Sequence, residues 1–249
     1  MTGPQEWLAA LEADGAVIAA TPAEHLARPV PTCPDWSVHD LIVHLGAVHR
    51  WAATFLAAGP DSKARFAFDA SDAPEGPEIT DWYRERLGEL VAELRRHDPA
   101  EPARGFAGHG TVGFWYRRQA HEAAVHRWDV QNATGEPTPI EVPLAEDGVD
   151  EWLEIFVPRF LARGAGLPAD SVGSVLHLHG VDESEAEWTI TFGTDGVKVG
   201  HAHARGDAAV RGTASELFLA MWRRVPLDAL EVHGDGSVPQ TLLDAVVVT

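Results

Sequence analysis

Gln119-Ala120-His121-Glu122-Ala123-Ala124-Val125-His126-Arg127-Trp128-Asp129 is the stretch on which the reading of this chain turns. Glu122 and His126 stand four residues apart, so on a helix they share a face, one above the other. At the helical period, Val112, Trp115, Gln119, Glu122, Ala123, His126 and Val130 form one stripe, most of it apolar. Such a stripe faces a core, where an unpaired carboxylate is costly. A buried Glu–His hydrogen bond would satisfy the pair, and so would a divalent cation. A carboxylate and an imidazole projecting inward from one bundle helix, completed by facing helices, is a known way to build a metal site.

Upstream, Pro31-Thr32-Cys33-Pro34-Asp35-Trp36 is a stiff, turn-rich approach to a second helix. Ser37 is suited to cap that helix, with Asp40 at the third helical position as a capping-box variant and Trp36 and Leu41 placed as a hydrophobic staple. The helix then carries Leu41, His44, Leu45, Val48, Ala52 and Phe55 on one face. His44 is again polar within an apolar stripe. Alone it reads as a satisfied core histidine; beside Glu122 and His126 it becomes the third candidate ligand. His39 and His49 project away from this stripe and are expected at the surface.

The remaining pattern gives a first helix from about Glu6 to Ala27, open to a break at Gly15. Gly59 to Thr80 reads as a loop, Asp81 to His97 as a charged amphipathic helix, Asp98 to Gly110 as another loop, and Thr111 to Asn132 as the helix quoted above. Four helices with long connections fit a bundle. Thr134-Gly135-Glu136-Pro137-Thr138-Pro139 is the best linker, which puts a bundle at 1–136 and a smaller α+β domain at 137–249. That second half has a helix from Ala145 to Arg163, bent near Pro158. Strands follow at Gly173 to His179, Glu187 to Phe192 and Val197 to Ala204, with Gly193-Thr194-Asp195-Gly196 as a hairpin turn. Ala208 to Arg211 suits a fourth strand, Thr213 to Arg224 an amphipathic helix, and Val238 to Val247 a last short element.

Composition narrows the class. A chain of 249 residues with 45% hydrophobic content can bury a substantial core. A formal net charge of −19 argues against nucleic acid as a partner, since phosphate binding needs basic patches. One cysteine excludes an internal disulfide framework. The N-terminus has no basic leader and no apolar run looks long enough to span a bilayer, so a soluble cytoplasmic protein with no membrane association is expected, as a monomer or small homo-oligomer.

His44, Glu122 and His126 make a His2Glu set. Three protein ligands and one open position are the pattern of catalytic zinc, whereas structural zinc is closed by four ligands. The spacing differs from the zincin motif, because here the glutamate precedes the histidine by four and is itself the proposed ligand. Zinc in such a site lowers the pKa of bound water or thiol. The same donor set accommodates nickel, iron or cobalt.

Three blocks resemble the mycothiol-dependent maleylpyruvate isomerase family. They are Cys33-Pro34-Asp35-Trp36-Ser37-Val38-His39-Asp40-Leu41-Ile42-Val43-His44-Leu45, then His121 through Asp129, then Gly212-Thr213-Ala214-Ser215-Glu216-Leu217-Phe218-Leu219-Ala220-Met221-Trp222-Arg223-Arg224. Their order covers nearly the whole chain. The resemblance implies a DinB-like four-helix bundle followed by a sterol-carrier-like α+β domain. It implies zinc held by His44, Glu122 and His126, the residues the stripes select. It also implies an arginine needed for activity near the end of the C-terminal helix. Arg224 fits that place, with Arg223 the one-residue alternative, because this chain has Arg-Arg where relatives often have Gly-Arg. A low-molecular-weight thiol, mycothiol in the family, would bind at the open zinc position and add to an electrophilic small molecule, in S-transfer or cis–trans isomerisation. The arginine would hold a carboxylate or developing negative charge.

Other residues carry weaker signals. Cys33 reads as a small residue in its turn rather than a nucleophile. Asp129 suits either a partner for a ligand histidine or an ion pair with Arg127. Trp36 and Trp115 fit core packing or a pocket lining. His177/His179 and His201/His203 form same-face pairs on strands, where exposed histidines or a second metal site are the two readings. The acidic run from Asp182 to Glu187 reads as a solvated turn. Two rival functions remain: a zinc hydrolase using bound water, and a non-catalytic metal- or small-molecule-binding or regulatory protein.

Overall fold

Ser37 starts the helix that gives the first half its shape. Its hydroxyl accepts from the Asp40 backbone N–H, while the Asp40 carboxylate accepts from the Ser37 backbone N–H at 2.9 Å, the reciprocal cap foreseen from the sequence. The computed structural model describes residues 3–63, 65–105, 108–135, 137–164, 166–183 and 186–246. Glu136 of the linker, Ser184 and Glu185 of the acidic run, and Val247 of the last element lie outside them.

The chain divides into two compact units, Met1–Thr138 and Pro139–Thr249. The first holds α1 (Pro4–Ala19), α2 (Val38–Ala58), α3 (Ile79–Leu94) and α4 (Val112–Thr134). Helices α1 and α2 each pack against α3 and α4. Fully buried Leu11, Ile18, Leu41, Leu45, Tyr83 and Trp115 fill the middle. A small hairpin, β1 (Pro102–Gly105) with β2 (Gly108–Thr111), occupies part of the stretch expected to be a plain loop.

Helix α1 departs from expectation twice. It stops at Ala19, and a separate short turn follows at Ala23–His25. It also runs unbroken through Gly15, because that glycine is a contact point: a Cβ there would lie 2.4 Å from Leu87 of α3. Helix α2, 21 residues long, is apolar enough by length and composition to cross a membrane, which the sequence reading had missed. More than half of its most apolar window is buried among the other helices, so its apolarity is that of a bundle core.

The second unit opens with α5 (Val142–Glu151), a wide π turn at Trp152–Phe156, and α6 (Val157–Arg163). The wide turn sits just before Pro158, where the expected bend lies: proline has no N–H to give the helix and crowds the preceding turn. A five-stranded sheet follows, in the order β5-β4-β3-β6-β7. Its strands are β3 (Val175–Gly180), β4 (Glu187–Gly193), β5 (Gly196–Gly200), β6 (Ala208–Gly212) and β7 (Glu231–Gly234). Strands β3 and β6 are parallel; the other pairings are antiparallel. Helix α7 (Ala214–Met221) packs on α5, β3 and β6, and α8 (Ser237–Ala245) on α6, β3 and β6. Leu176, Leu178, Trp188 and Ile190 are buried on one face of the sheet. A helical first half and a smaller α+β second half are the architecture the sequence led us to expect. Strand β7 was unforeseen, and β5 ends at Gly200 rather than Ala204.

Candidate metal centre

Helices α2 and α4 bring His44, Glu122 and His126 together, with one potential ligand atom from each within 4.8 Å of the others. The Nε2 atoms of both histidines face the same carboxylate oxygen, Glu122 Oε1, at 3.7 Å from His44 and 3.4 Å from His126. The two rings meet edge to face with centroids 5.4 Å apart. The other oxygen, Oε2, accepts from the Arg118 guanidinium at 3.1 Å. The burial of Val112, Trp115, Gln119, Ala123, His126 and Val130 matches the stripe that selected Glu122 and His126.

The charges are arranged to keep Glu122 ionised. Burial raises its pKa, but His126, His44 and Arg118 outweigh that and hold it well below the usual carboxylate range. Burial likewise works against a charged His126, yet Asp129 and Glu122 prevail and lift its pKa. Asp129 is fully buried, and its Oδ2 lies 2.9 Å from His126 Nδ1. That bond puts a proton on Nδ1, which donates to Asp129, and leaves Nε2 as the nitrogen that faces Glu122 Oε1. A ligating histidine held from behind by a carboxylate is the usual support at a metal site. The residues thus fit a divalent cation: two imidazole nitrogens and one ionised oxygen converge, and the side chain of His44 is 32% exposed on the open side.

Several residues around the site resolve alternatives left open by the sequence. Arg127 pairs with Asp14 at 3.1 Å, and Asp129 pairs with His126 at 2.9 Å. Thr32 donates to Asp129 Oδ1 at 2.6 Å, and the Cys33 thiol lies 3.8 Å from Oδ2. The turn at 31–36 therefore braces the carboxylate that orients His126. Thr32 was not singled out beforehand, and its signal was only its place just before the Cys33-Pro34-Asp35-Trp36 block. Asp35, at φ +69, makes that turn in a left-handed conformation, which aspartate tolerates better than most residues. The Trp36 ring sits 4.8 Å from that of His44, while Trp115 is a core residue with no exposure.

His49 corrects the expectation of a surface residue. It is fully buried, donates from Nδ1 to Gln119 Oε1 at 2.7 Å, and has Tyr83 Oη 3.3 Å from Nε2. On a helix buried on two sides, the residue turned away from one core stripe enters the next interface. His177 is also buried rather than exposed, and it gathers with His179, Glu187 and His203 in the second unit. Glu187 opens strand β4, where a strand was expected to begin, so the acidic run read as a solvated turn ends before it.

Helix α7 carries a second reciprocal cap, Thr213 with Glu216. It ends at Met221, and Arg223 then takes a left-handed backbone with φ +60. Arg223 donates to Leu243 O at 2.5 Å, and Arg224 donates to Trp222 O at 2.9 Å.

Comparison with known proteins agrees with this picture at two levels. Two solved structures, of the mycothiol-dependent maleylpyruvate isomerase and of a histidine-to-alanine mutant of it, superpose with a TM-score of 0.62. Each covers 93% of this chain and 95% of its own at 12% identity, which is a likeness of fold. An uncharacterized protein of Mycobacterium tuberculosis, found in two strains, is 28% identical over 172 residues, or 64% of this chain and 81% of the relative. The family model described as the mycothiol maleylpyruvate isomerase N-terminal domain matches residues 7–131, and that described as the MDMPI C-terminal domain matches 143–241. With both models matched in order along nearly all its length, this chain belongs to the mycothiol maleylpyruvate isomerase family.

Proposed function

We propose that this protein is a zinc-dependent enzyme that activates a low-molecular-weight thiol, mycothiol, for addition to an electrophilic small molecule. It acts as an S-transferase or as a maleylpyruvate-type cis–trans isomerase. The observation that carries the reading is the convergence of His44 Nε2 and His126 Nε2 on Glu122 Oε1, with His44 facing solvent. Zinc held by these three residues would supply the Lewis acidity that lowers the pKa of a sulfhydryl.

The chain's own residues do the rest. Asp129, braced by Thr32 and Cys33, fixes the His126 ring. Arg118 occupies one oxygen of Glu122 and leaves the other free to ligate. Trp36 and Phe68, with rings 4.8 and 6.3 Å from His44, provide apolar walls beside the open side. Arg224 is assigned the anionic group of the electrophile, or the negative charge that develops as the thiol adds, for which a guanidinium is suited.

The test is elemental analysis of untagged protein beside His44→Ala and Glu122→Ala. We expect each variant to hold about one equivalent of zinc less than the parent, since the site needs all three ligands. Turnover of an electrophile should then require both metal and added thiol. Turnover in the absence of any thiol would identify a zinc hydrolase instead. No zinc in the parent, and none acquired on adding it, would leave a non-catalytic binding protein with the family's fold.

A further inference from the structure

The sheet of the second unit has two faces. One is buried beneath helices; the other is crossed by a strap. Strand β5 ends at Gly200 and β6 begins at Ala208, with β4 and β3 lying between the two strands. Gly200 pairs with Thr189, Thr189 with His177, and His177 with Ala209, so these residues lie nearly level across the sheet. The connection at 201–207 therefore has only three strand spacings to cross, roughly 14 Å at about 4.8 Å each. It is fastened along the way: Thr189 donates to Ala202 O at 2.7 Å, and the Asp207 N–H donates to Val175 O at 2.8 Å.

Beneath the strap, the pleat brings three donors to one face. His177 and His179 alternate along β3, and Glu187 of β4 stands directly opposite His179. The strap lowers His203 onto them. Glu187 Oε1 lies 2.9 Å from His179 Nδ1 and 2.8 Å from His203 Nδ1. His177 Nε2 points at the second oxygen but stops at 3.7 Å, beyond hydrogen-bond reach. That nitrogen is buried with no hydrogen-bond partner, on a side chain only 6% exposed. A buried polar atom left unmade costs more than an ordinary hydrogen bond returns, so the cluster as it stands is short of one partner.

We propose that His177, His179, Glu187 and His203 form a second metal site, for a divalent transition metal of the kind that favours imidazole. Three imidazoles and one carboxylate, with one ligand atom from each within 4.8 Å of the others, suit zinc, cobalt or nickel. A cation among them would give His177 Nε2 the partner it lacks. Four protein ligands close a tetrahedral site, so its role is to pin the strap to the sheet rather than to hold substrate. A cavity of about 440 Å³ adjoins the cluster, lined in part by Glu146, Asp150 and His201; the Glu146 and Asp150 carboxylates add negative potential beside it. This site is separate from the bundle's His44, Glu122 and His126.

The test uses the untagged full chain, stripped with a chelator, reloaded with zinc or cobalt and desalted. The parent is compared with His203→Ala and with His179→Ala/His203→Ala, each also in a Glu122→Gln background. His203 is 76% exposed, so its removal leaves the fold intact, and circular dichroism checks this. In both backgrounds the double variant should hold about one equivalent of metal less than its parent. Glu122→Gln loaded with cobalt should show the visible absorption of a tetrahedral ion, and the double variant should lack it. Equal uptake by parent and double variant in the Glu122→Gln background would overturn the second site. A failure of the bundle site would show separately, as no change in uptake on Glu122→Gln alone.

Discussion

Arg223 adopts φ +60, a backbone conformation that costs a residue with a Cβ about 1–2 kcal/mol. Glycine would carry no such cost, so the first position of Arg223-Arg224 meets the left-handed turn and the second is left to carry the guanidinium. Arg223→Gly should therefore raise stability by up to about 1 kcal/mol, offset in part by the lost bond to Leu243. Its thiol-dependent turnover should match the parent, while Arg224→Ala should lose most of it. Denaturation midpoints and turnover measured side by side check both halves; equal losses of turnover in the two variants would remove the assignment to Arg224. His49 supports a pH prediction. Burial holds its imidazole down, to about 4, against the opposing pull of Gln119 and Glu122. The folded chain then refuses a proton that the unfolded chain accepts near its ordinary value of about 6.5. The stabilisation is complete above about pH 6.5 and is lost as pH falls toward 4, amounting to about 3 kcal/mol in all. With metal removed, His49→Gln should flatten the fall of unfolding free energy across that window by about one proton. Identical slopes in parent and variant would refute it.

Helix α2 meets α3 through Gly46, where a Cβ would lie 2.1 Å from the Trp82 ring. That ring cannot easily yield, because the guanidinium carbons of Arg50 and Arg86 flank it at 5.7 and 5.8 Å. Gly46→Ala should cost about 1–3 kcal/mol as an overpacked core. Gly88 is the control: it is exposed within α3, and a Cβ there meets nothing within 4 Å. Gly88→Ala should stabilise by about 0.5–1 kcal/mol. Urea denaturation of both variants decides, and destabilisation by both would show that helix propensity plays no part. The same distinction explains what was legible at this scale. Period and caps located α2, α3 and α4 and the strands β3, β4 and β6, because amphipathic faces and hairpin turns are local signals. A glycine that breaks a helix and one that admits a neighbour read alike in sequence, and so Gly15 was misjudged. The short strand β7 (Glu231–Gly234), mostly exposed, had no alternation from which to be found.

At the scale of the molecule, the split into a helical half and an α+β half could be read from the change of pattern after Thr134. The three bundle residues that converge could be read from two inward stripes. What surrounds them could not. Thr32 and Asp129 lie 97 positions apart, and no periodicity links a turn residue to a helix end so distant in the chain. His177, His179 and His203 could be read only as same-face strand histidines, exposed or metal-binding, for the same reason: nothing local says that 201–207 folds back over β3 and β4. That strap also sets an order of assembly. It lies on a surface that exists only once β3 and β4 have paired, and it leads directly into β6, which must join β3 on the far side. In refolding followed by pulsed hydrogen exchange, the amides of β3 and β4 should gain protection first and the Asp207 amide, bonded to Val175 O, later. The sheet would then be finished by a step resembling the closing of a clasp, so a substitution that slackens 201–207 should slow the completion of folding and leave the early pairing of β3 with β4 at its own pace.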